Sequence, residues 1–86
     1  MESKNEQFLE VRFISPFETF FEGLANSVSA KDINGPFDIL PGHVNFIGIL
    51  TNSDVSIKSD TGDRSIGISK GIINVNNNKV EVFANV

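Results

Sequence analysis

The chain has 86 residues, no cysteine and a formal net charge of −4 at pH 7, with 40% hydrophobic and 21% charged residues. This length suits one domain with a modest core, and the composition is that of a folded globular protein. The absence of cysteine excludes disulfides, thiolate metal sites and cysteine nucleophiles, and the acidic charge with scattered Lys and Arg argues against a nucleic-acid partner.

Residues 1–7 are polar and acidic, and we expect them to form a flexible lead-in to a single domain over residues 8–86. Their composition is neither that of a signal peptide nor that of an Arg-rich transit peptide. No apolar run approaches the roughly 20 residues of a membrane-spanning helix. The sequence therefore predicts a cytosolic protein of an organism without an import step, or a mature form.

Alternation of apolar and polar residues, the pattern of half-buried strands, begins directly after this segment. In residues 8–15, apolar Leu9, Val11 and Phe13 alternate with charged residues until Pro16 interrupts the pattern. The spacing predicts a first β-strand with one face in the core.

Two further short strands follow before the middle of the chain. The second is predicted over residues 18–22, with Gly23 closing it, and the third over residues 26–31. Because Phe20 and Phe21 are adjacent in an extended chain, we expect their rings to lie on opposite faces of the second strand.

Two chain reversals lie close together in the middle of the sequence. Asn-Gly-Pro at residues 34–36 can turn the chain, because Gly tolerates positive φ and Pro fixes its own φ. Pro-Gly at residues 41–42 can turn it again. Residues 37–40 between them predict a very short strand. A domain would keep so short a strand only to position a neighbouring segment.

The second half of the chain begins with a near-continuous apolar run over residues 44–51, which predicts a strand buried on both faces. Residues 55–58 and 66–68 alternate again. The loop at residues 60–63 separates them, and Gly62 can supply positive φ there. This part of the chain therefore predicts a β-hairpin.

The last elements are short strands at residues 72–75 and 80–82, joined by three asparagines at residues 76–78 that tolerate the left-handed region. No segment has a helical period longer than one turn. Short strands separated by frequent turn signals predict an all-β fold, an antiparallel sandwich or barrel.

His43 is the only histidine, and an imidazole can act as a base, a metal ligand or a pH switch. No serine has a nucleophile-elbow or triad pattern around it. A metal site would have to recruit Asp32 or Asp38, whose spacing matches no ligand signature. We favour a structural or interface histidine over a catalytic one.

Other residue types indicate packing and docking rather than chemistry. The glycines do not form a phosphate-binding motif, and Asp60 and Asp63 lack the further ligands of a calcium loop. Ring platforms favour Trp and Tyr, which are absent, so we assign the phenylalanines to the core. Apolar residues in or near the central turns, Pro36, Phe37, Leu40, Pro41 and Phe46, predict an interaction surface.

The same central segment carries a resemblance to a known family. Residues 35–44, Gly-Pro-Phe-Asp-Ile-Leu-Pro-Gly-His-Val, are similar to the segment Gly-Glu-Phe-Gly-Ile-Leu-Pro-Gly-His-Ala of the epsilon subunit of F-type ATP synthases, called delta in mitochondria. Residues 11–16 with 20–23 resemble the opening strand, Pro and Phe-x-Gly element of that family. Residues 68–75 with 78–82 resemble its Val-Ser-Gly-Gly-Phe-Leu-Glu-Val and Asn-x-Val-Thr-Val segments.

The resemblance implies a flattened β-sandwich of about ten short strands, the N-terminal domain of a non-catalytic subunit in the central stalk of the synthase. It implies binding to the gamma subunit and to the c-ring, which couples ion flow to ATP synthesis without a cofactor or small-molecule substrate. It also implies a peripheral position at the cytoplasmic face of a bacterial inner membrane. The alternative is an independent β-sandwich recognition module for a peptide or small ligand.

The resemblance further implies which residues contact partners. Near the c-ring these are Asn34, Gly35, Phe37 and Asp38. Near gamma these are Pro41, Gly42, His43 and Phe46, with Leu40 between the two groups.

Three departures from the family pattern affect these expectations. Pro36 and Asp38 stand where the family has an acidic and a small residue, which moves the polar ring contact by two positions. Lys70 replaces the first glycine of the Ser-Gly-Gly turn. The chain ends at Val86, where the family continues into a helical hairpin, so we expect either a naturally short subunit or a domain of a longer one.

Overall fold

The computed structural model describes residues 8–43 and 45–85, so the predictions for residues 1–7, Val44 and Val86 lie outside the described residues. The strand pattern in the sequence becomes a set of short strands, listed here in chain order: β1 (Leu9–Ile14), β2 (Thr19–Ala25), β3 (Ser27–Asp32), β4 (Gly35–Ile39), β5 (Phe46–Leu50), β6 (Ser53–Lys58), β7 (Arg64–Ile68), β8 (Lys70–Asn76) and β9 (Lys79–Asn85). Over these described ranges, no helix is long and apolar enough to cross a lipid bilayer.

The strands form two sheets, one of five strands in the order β2-β1-β9-β8-β5 and one of four in the order β4-β3-β6-β7. This arrangement confirms the predicted all-β sandwich. One pairing differs from the antiparallel prediction, because β1 and β9 run parallel with Val11 opposite Val80 and Phe13 opposite Val82. Because β1 and β9 are far apart in the sequence, no tight hairpin fixes their relative direction, and they can pair in parallel.

The core lies between the two sheets, and β1 contributes one of its two side-chain phases to it. Leu9, Val11 and Phe13 of β1 are at most 2% exposed, as the alternation predicted. The four-stranded sheet contributes fully buried residues such as Val28 and Ile57 from the opposite side. Burial of each such side chain contributes about 1.5–3 kcal/mol to the stability of the folded state. These contributions stabilise the core of a short chain that has no disulfides.

Two predicted turns have the backbone geometry that their residues suggested. Asn77 and Asn78 have φ of 52° and 64°, the left-handed pair of a type I′ turn between β8 and β9. Gly62 has φ of 134° in the loop between β6 and β7. Both hairpins therefore close where the sequence predicted.

The second strand differs from its prediction. β2 continues through Gly23 to the buried Ala25 instead of ending at residue 22. Phe20 and Phe21 both pack against the core, so the expectation of opposite faces is wrong. The cause is a β-bulge, because Phe21 pairs with Phe13 whereas the next partner, Ile14, is opposite Thr19 and leaves Phe20 as the extra residue.

The expectation that residues 44–51 are buried on both faces is also wrong. Phe46 packs against the core and Leu50 is 1% exposed, whereas Ile47 and Ile49 are 73% and 72% exposed. β5 is the outermost strand of the five-stranded sheet, and only one face of that sheet meets the other sheet. The second apolar phase of β5 therefore lies on the solvent face.

Candidate functional site

The β3–β4 hairpin carries the first group of predicted contact residues. The N–H of Asn34 donates to Oδ1 of Asp32 at 2.8 Å, an Asx-type bond that shapes the turn. Gly35 follows with φ of 120° and begins β4. Asp38 is exposed on β4 and accepts a bond from the Ser29 hydroxyl at 2.7 Å. The hairpin therefore presents one oriented carboxylate to solvent, beside a turn in which Ile33 is 89% exposed.

The second group lies where the chain crosses from β4 in one sheet to β5 in the other. The N–H of His43 donates to the carbonyl oxygen of Leu40 at 3.0 Å. Pro41 and Gly42 occupy the two central positions of this turn, and Gly42 has φ of 88° as a type II turn requires. Leu40 is 56% exposed beside it. This connection forms a defined bend with apolar groups at the surface.

Three rings close the sandwich between the edge strands β4 and β5. The ring centroids of Phe37 and Phe46 are 5.8 Å apart in an edge-to-face arrangement, and the His43 ring is 5.3 Å from Phe46. Phe37 and Phe46 are half-buried and pack against the core. These rings therefore support the fold, and only their outer parts are available to a partner.

His43 lies within this ring cluster rather than in a polar cleft. Its imidazole is half-buried against Phe46. Among residues 8–43 and 45–85, no group of three or more His, Asp or Glu side chains is placed to hold a metal ion. The structural or interface interpretation of His43 fits this environment.

The predicted contact residues form two separate groups and not one continuous site. Asn34 lies before the first residue of β4 and the Pro41–Gly42 turn lies after its last residue. At about 3.3 Å per residue, the strand separates the two turns by about 15 Å. A partner must be extended to contact both, or two partners must each contact one.

A further surface, on the five-stranded sheet, was not predicted from the sequence. Four apolar residues on the solvent face of the five-stranded sheet lie side by side across neighbouring strands, and we call them the apolar row: Ile14, Phe83, Ile72 and Ile49. Ile49 is 72%, Ile72 50% and Phe83 46% exposed, and Ile47 extends the surface along β5. Contiguous exposed apolar surface of this kind is typical of a protein-binding site.

The strand register explains why the row is continuous. Phe83 of β9 is paired with Ile14 on one side and with Ile72 on the other, and Ile72 is in turn paired with Ile49. Paired residues share a face, so the four side chains project in the same direction. The row therefore spans four of the five strands.

Adjacent apolar residues were the signal that could have revealed this surface. Each row residue stands next to a residue that points into the core, in the dipeptides Phe13-Ile14, Ile49-Leu50, Ile72-Ile73 and Val82-Phe83. In a strand, neighbours point to opposite faces, so one member of each dipeptide must face outward. Finding a row also requires the strand order, which the sequence does not provide.

On β1, β9 and β8 the next residues on the same face are polar and limit the row there. Arg12, Glu81 and Asn74 are paired across β1, β9 and β8. Arg12 and Glu81 form a salt bridge of 3.9 Å with both side chains about half exposed. Such an exposed pair contributes little stability, up to about 1 kcal/mol. The sheet face therefore has an apolar part and a charged part.

Comparison with known proteins agrees with this architecture. The family model described as "ATP synthase, Delta/Epsilon chain, beta-sandwich domain" matches residues 8–86. The ATP synthase epsilon chain of Ruminococcus albus is 38% identical over 66 residues, which covers 77% of this chain and 49% of that protein.

Two solved structures share the fold. A chain of the Euglena gracilis mitochondrial ATP synthase (OSCP/F1/c-ring, rotational state 1) superposes with a TM-score of 0.83 at 15% identity, covering 91% of this chain and 51% of that one. A chain of the central stalk/c-ring of the Tetrahymena thermophila mitochondrial ATP synthase gives 0.79 at 17% identity, covering 94% and 66%.

The chain spans about half the length of the curated relatives that it matches first, 49% and 54%. The match nevertheless extends over nearly all of the described residues, from the first strand to the last. Both the resemblance found in the sequence and the two-sheet fold agree with this family match. The chain therefore belongs to the delta/epsilon family of ATP synthase chains, through the β-sandwich domain of that family.

Proposed function

We propose that the chain is a non-catalytic part of the central stalk of an F-type ATP synthase. There it binds the gamma subunit and the c-ring, and it helps to couple ion flow to ATP synthesis. The family match and the two structural neighbours, which come from assemblies containing a c-ring, support this role. In this role the chain transmits torque and carries out no chemical step.

The observation that carries the proposal is the apolar row on the free face of the five-stranded sheet. Ile49 and Ile72 are at least half exposed there, directly opposite each other in the sheet. Covering large aliphatic side chains contributes about 25 cal/mol for each Å² of apolar surface removed from water. A stable neighbour that covers this face is therefore strongly favoured, and we assign it to gamma.

The two groups of loop residues complete the interface in this proposal. Pro41, Gly42 and His43 lie at the start of β5, so gamma contacts them while it lies along β5 toward the row. Asn34 and Asp38 present polar groups on the β3–β4 hairpin, and we assign them to the c-ring. Phe37 and Phe46 contribute through the outer parts of rings that also support the core.

The proposed location follows from these partners. A chain bound to gamma and to the c-ring is peripheral and is held at the membrane through the complex. The similarity to a bacterial epsilon chain supports the cytoplasmic face of an inner membrane.

Co-expression tests the proposal directly. The tagged 86-residue chain is expressed with gamma and c subunits from the same genome, and the detergent-solubilised material is separated by size exclusion. We expect co-elution with gamma at both low and moderate salt, because apolar contacts resist screening. Clean separation under both conditions would overturn the proposal and favour an independent recognition module.

A further inference from the structure

The connection between β4 and β5 is tied to the β8–β9 turn by two hydrogen bonds. The N–H of Gly42 donates to Oδ1 of Asn78 at 2.8 Å, and the N–H of Asn77 donates to Oδ1 of Asn45 at 2.9 Å. In each bond a side chain of one segment accepts from the backbone of the other. We call this reciprocal pair the asparagine brace.

One side of the brace is fixed to the centre of the five-stranded sheet. Asn78 occupies a left-handed position in the type I′ turn, with φ of 64°. Its carbonyl oxygen accepts a bond of 2.8 Å from the N–H of Glu10 in β1. The side-chain oxygen that holds Gly42 therefore belongs to a residue that is itself bonded to β1.

The other side of the brace carries the proposed contact residues. Gly42 is exposed between the half-buried Pro41 and His43, and Asn45 directly precedes β5. The bond from the N–H of His43 to the carbonyl oxygen of Leu40 closes this turn locally. The two asparagine side chains therefore add constraints from outside the turn, on both sides of His43.

We propose that Asn78 and Asn45 are positioning residues, which hold the Pro41–Gly42 turn in the conformation that it presents to gamma. This inference rests on the proposed function. A loop that is already ordered loses less conformational entropy on binding, so the brace increases affinity without touching the partner.

Substitutions at Asn77 and Asn78 can distinguish the loss of the brace from the loss of the turn conformation. Asn78→Gly removes the side-chain acceptor and keeps a residue that adopts positive φ freely. Asn77→Gly is the matched control, because glycine at 77 retains the backbone N–H that donates to Asn45. Asn78→Asp is the conservative variant, because it keeps a side-chain oxygen acceptor and tolerates the left-handed region.

Two measurements are made on the 86-residue chain: amide hydrogen exchange at Gly42 in the free chain, and the dissociation constant for the gamma–c complex. Asn78→Gly is expected to accelerate exchange at Gly42 and to weaken binding by about five- to tenfold, the effect of one hydrogen bond. Asn77→Gly and Asn78→Asp are expected to stay within about twofold of wild type. If Asn78→Gly fails to fold, Asn45→Ala takes its place: it removes the acceptor of the Asn77 N–H, and we expect faster exchange at Asn77 and binding weakened by a similar factor.

Each contrary result has a distinct meaning. Unchanged exchange at Gly42 in Asn78→Gly would show that the brace does not hold this turn. Accelerated exchange with unchanged binding would overturn the positioning role. If the wild-type chain did not bind gamma, the proposed function would fail and the positioning role with it, while the exchange data would still report whether the brace exists.

Discussion

Phe37 lies on the edge strand β4 with its ring against the core and 5.8 Å from the ring of Phe46. Phe37→Ala removes this packing, and we expect it to lower the free energy of unfolding by about 1–3 kcal/mol, less than the loss for a fully buried ring. Chemical denaturation of the free chain measures this change. Any loss of partner binding in the same variant must then be separated from the loss of stability.

Phe17 provides the matched control for that substitution. It is 94% exposed in the turn between β1 and β2, so its assignment to the core is wrong, and the same change to Ala removes almost no buried surface. We expect Phe17→Ala to change the unfolding free energy by less than about 0.5 kcal/mol. Equal losses in the two variants would contradict the packing role of Phe37.

The Lys-Gly sequence at the start of β8 has a close backbone contact at Gly71. A Cβ atom on Gly71 would lie 2.8 Å from the carbonyl oxygen of Phe83 and 3.1 Å from Cβ of Ala84. Gly71→Ala therefore forces β8 and β9 apart, and we expect a loss of about 1–3 kcal/mol in unfolding free energy. Thermal and denaturant unfolding of the variant measure it.

Gly67 in β7 offers the comparison for Gly71. Its added Cβ would meet only Oδ1 of Asp54 at 3.2 Å, the end of an exposed side chain that can move away. Gly67→Ala should therefore leave stability within about 0.5 kcal/mol or raise it slightly. A loss as large as that of Gly71→Ala would show that the close contact at β9 is not the cause.

At the scale of an element, the β8–β9 hairpin depends on two residues with positive φ. Asn77 has φ of 52°, a region in which a β-branched side chain is strained. We expect Asn77→Val to lower the unfolding free energy by about 1–2 kcal/mol, whereas Asn77→Gly should keep or slightly improve it. Denaturation curves of the pair test this, and equal stability of the two variants would mean that the turn does not need its left-handed conformation.

The sequence predicts elements well where one local rule decides. In β1 the alternation of Leu9, Val11 and Phe13 with charged residues places one face in the core, and the structure has those residues buried. Turn chemistry likewise predicted Asn77, Asn78 and Gly62 at positions with positive φ. In each case neighbouring residues alone set the outcome.

The sequence predicts less where the outcome depends on distant partners. The bulge at Phe20 depends on the register of β2 against β1, and the exposure of Ile49 depends on the position of β5 at a sheet edge. The parallel pairing of β1 with β9 joins the two ends of the described chain. Periodicity carries no information about which strands become neighbours.

The same distinction applies to the candidate site. The turns at Asn34 and at Pro41–Gly42 follow from residue types, and the resemblance to a known family marked them as contact residues. Their separation by the length of β4 and the brace at Asn45 and Asn78 follow only from the fold. These are properties of tertiary arrangement, which one sequence does not specify locally.

At the scale of the whole molecule, the two sheets expose different surfaces. The five-stranded sheet carries the apolar row over four of its strands, and β5 connects this row to the turn that precedes it. One elongated partner along β5 can therefore contact both surfaces. The hairpin at Asn34 belongs to the four-stranded sheet, so a second partner can reach it at the same time.

The double substitution Ile49→Thr with Ile72→Thr tests the row at this scale. These residues are paired across β5 and β8, and threonine retains the β-branch that suits a strand, so the free chain should lose less than about 1 kcal/mol in unfolding free energy. Binding to gamma should weaken about 30-fold, since two large side chains lose their apolar contact, and calorimetric titration measures this change in affinity.

Leu24→Thr is the control for this double substitution. Leu24 lies on the same face at the opposite edge of the sheet and is 56% exposed, and the variant should bind within about threefold of wild type. Equal affinity of the double variant and wild type would exclude the apolar row from the interface and would leave the loops as the contacts with gamma.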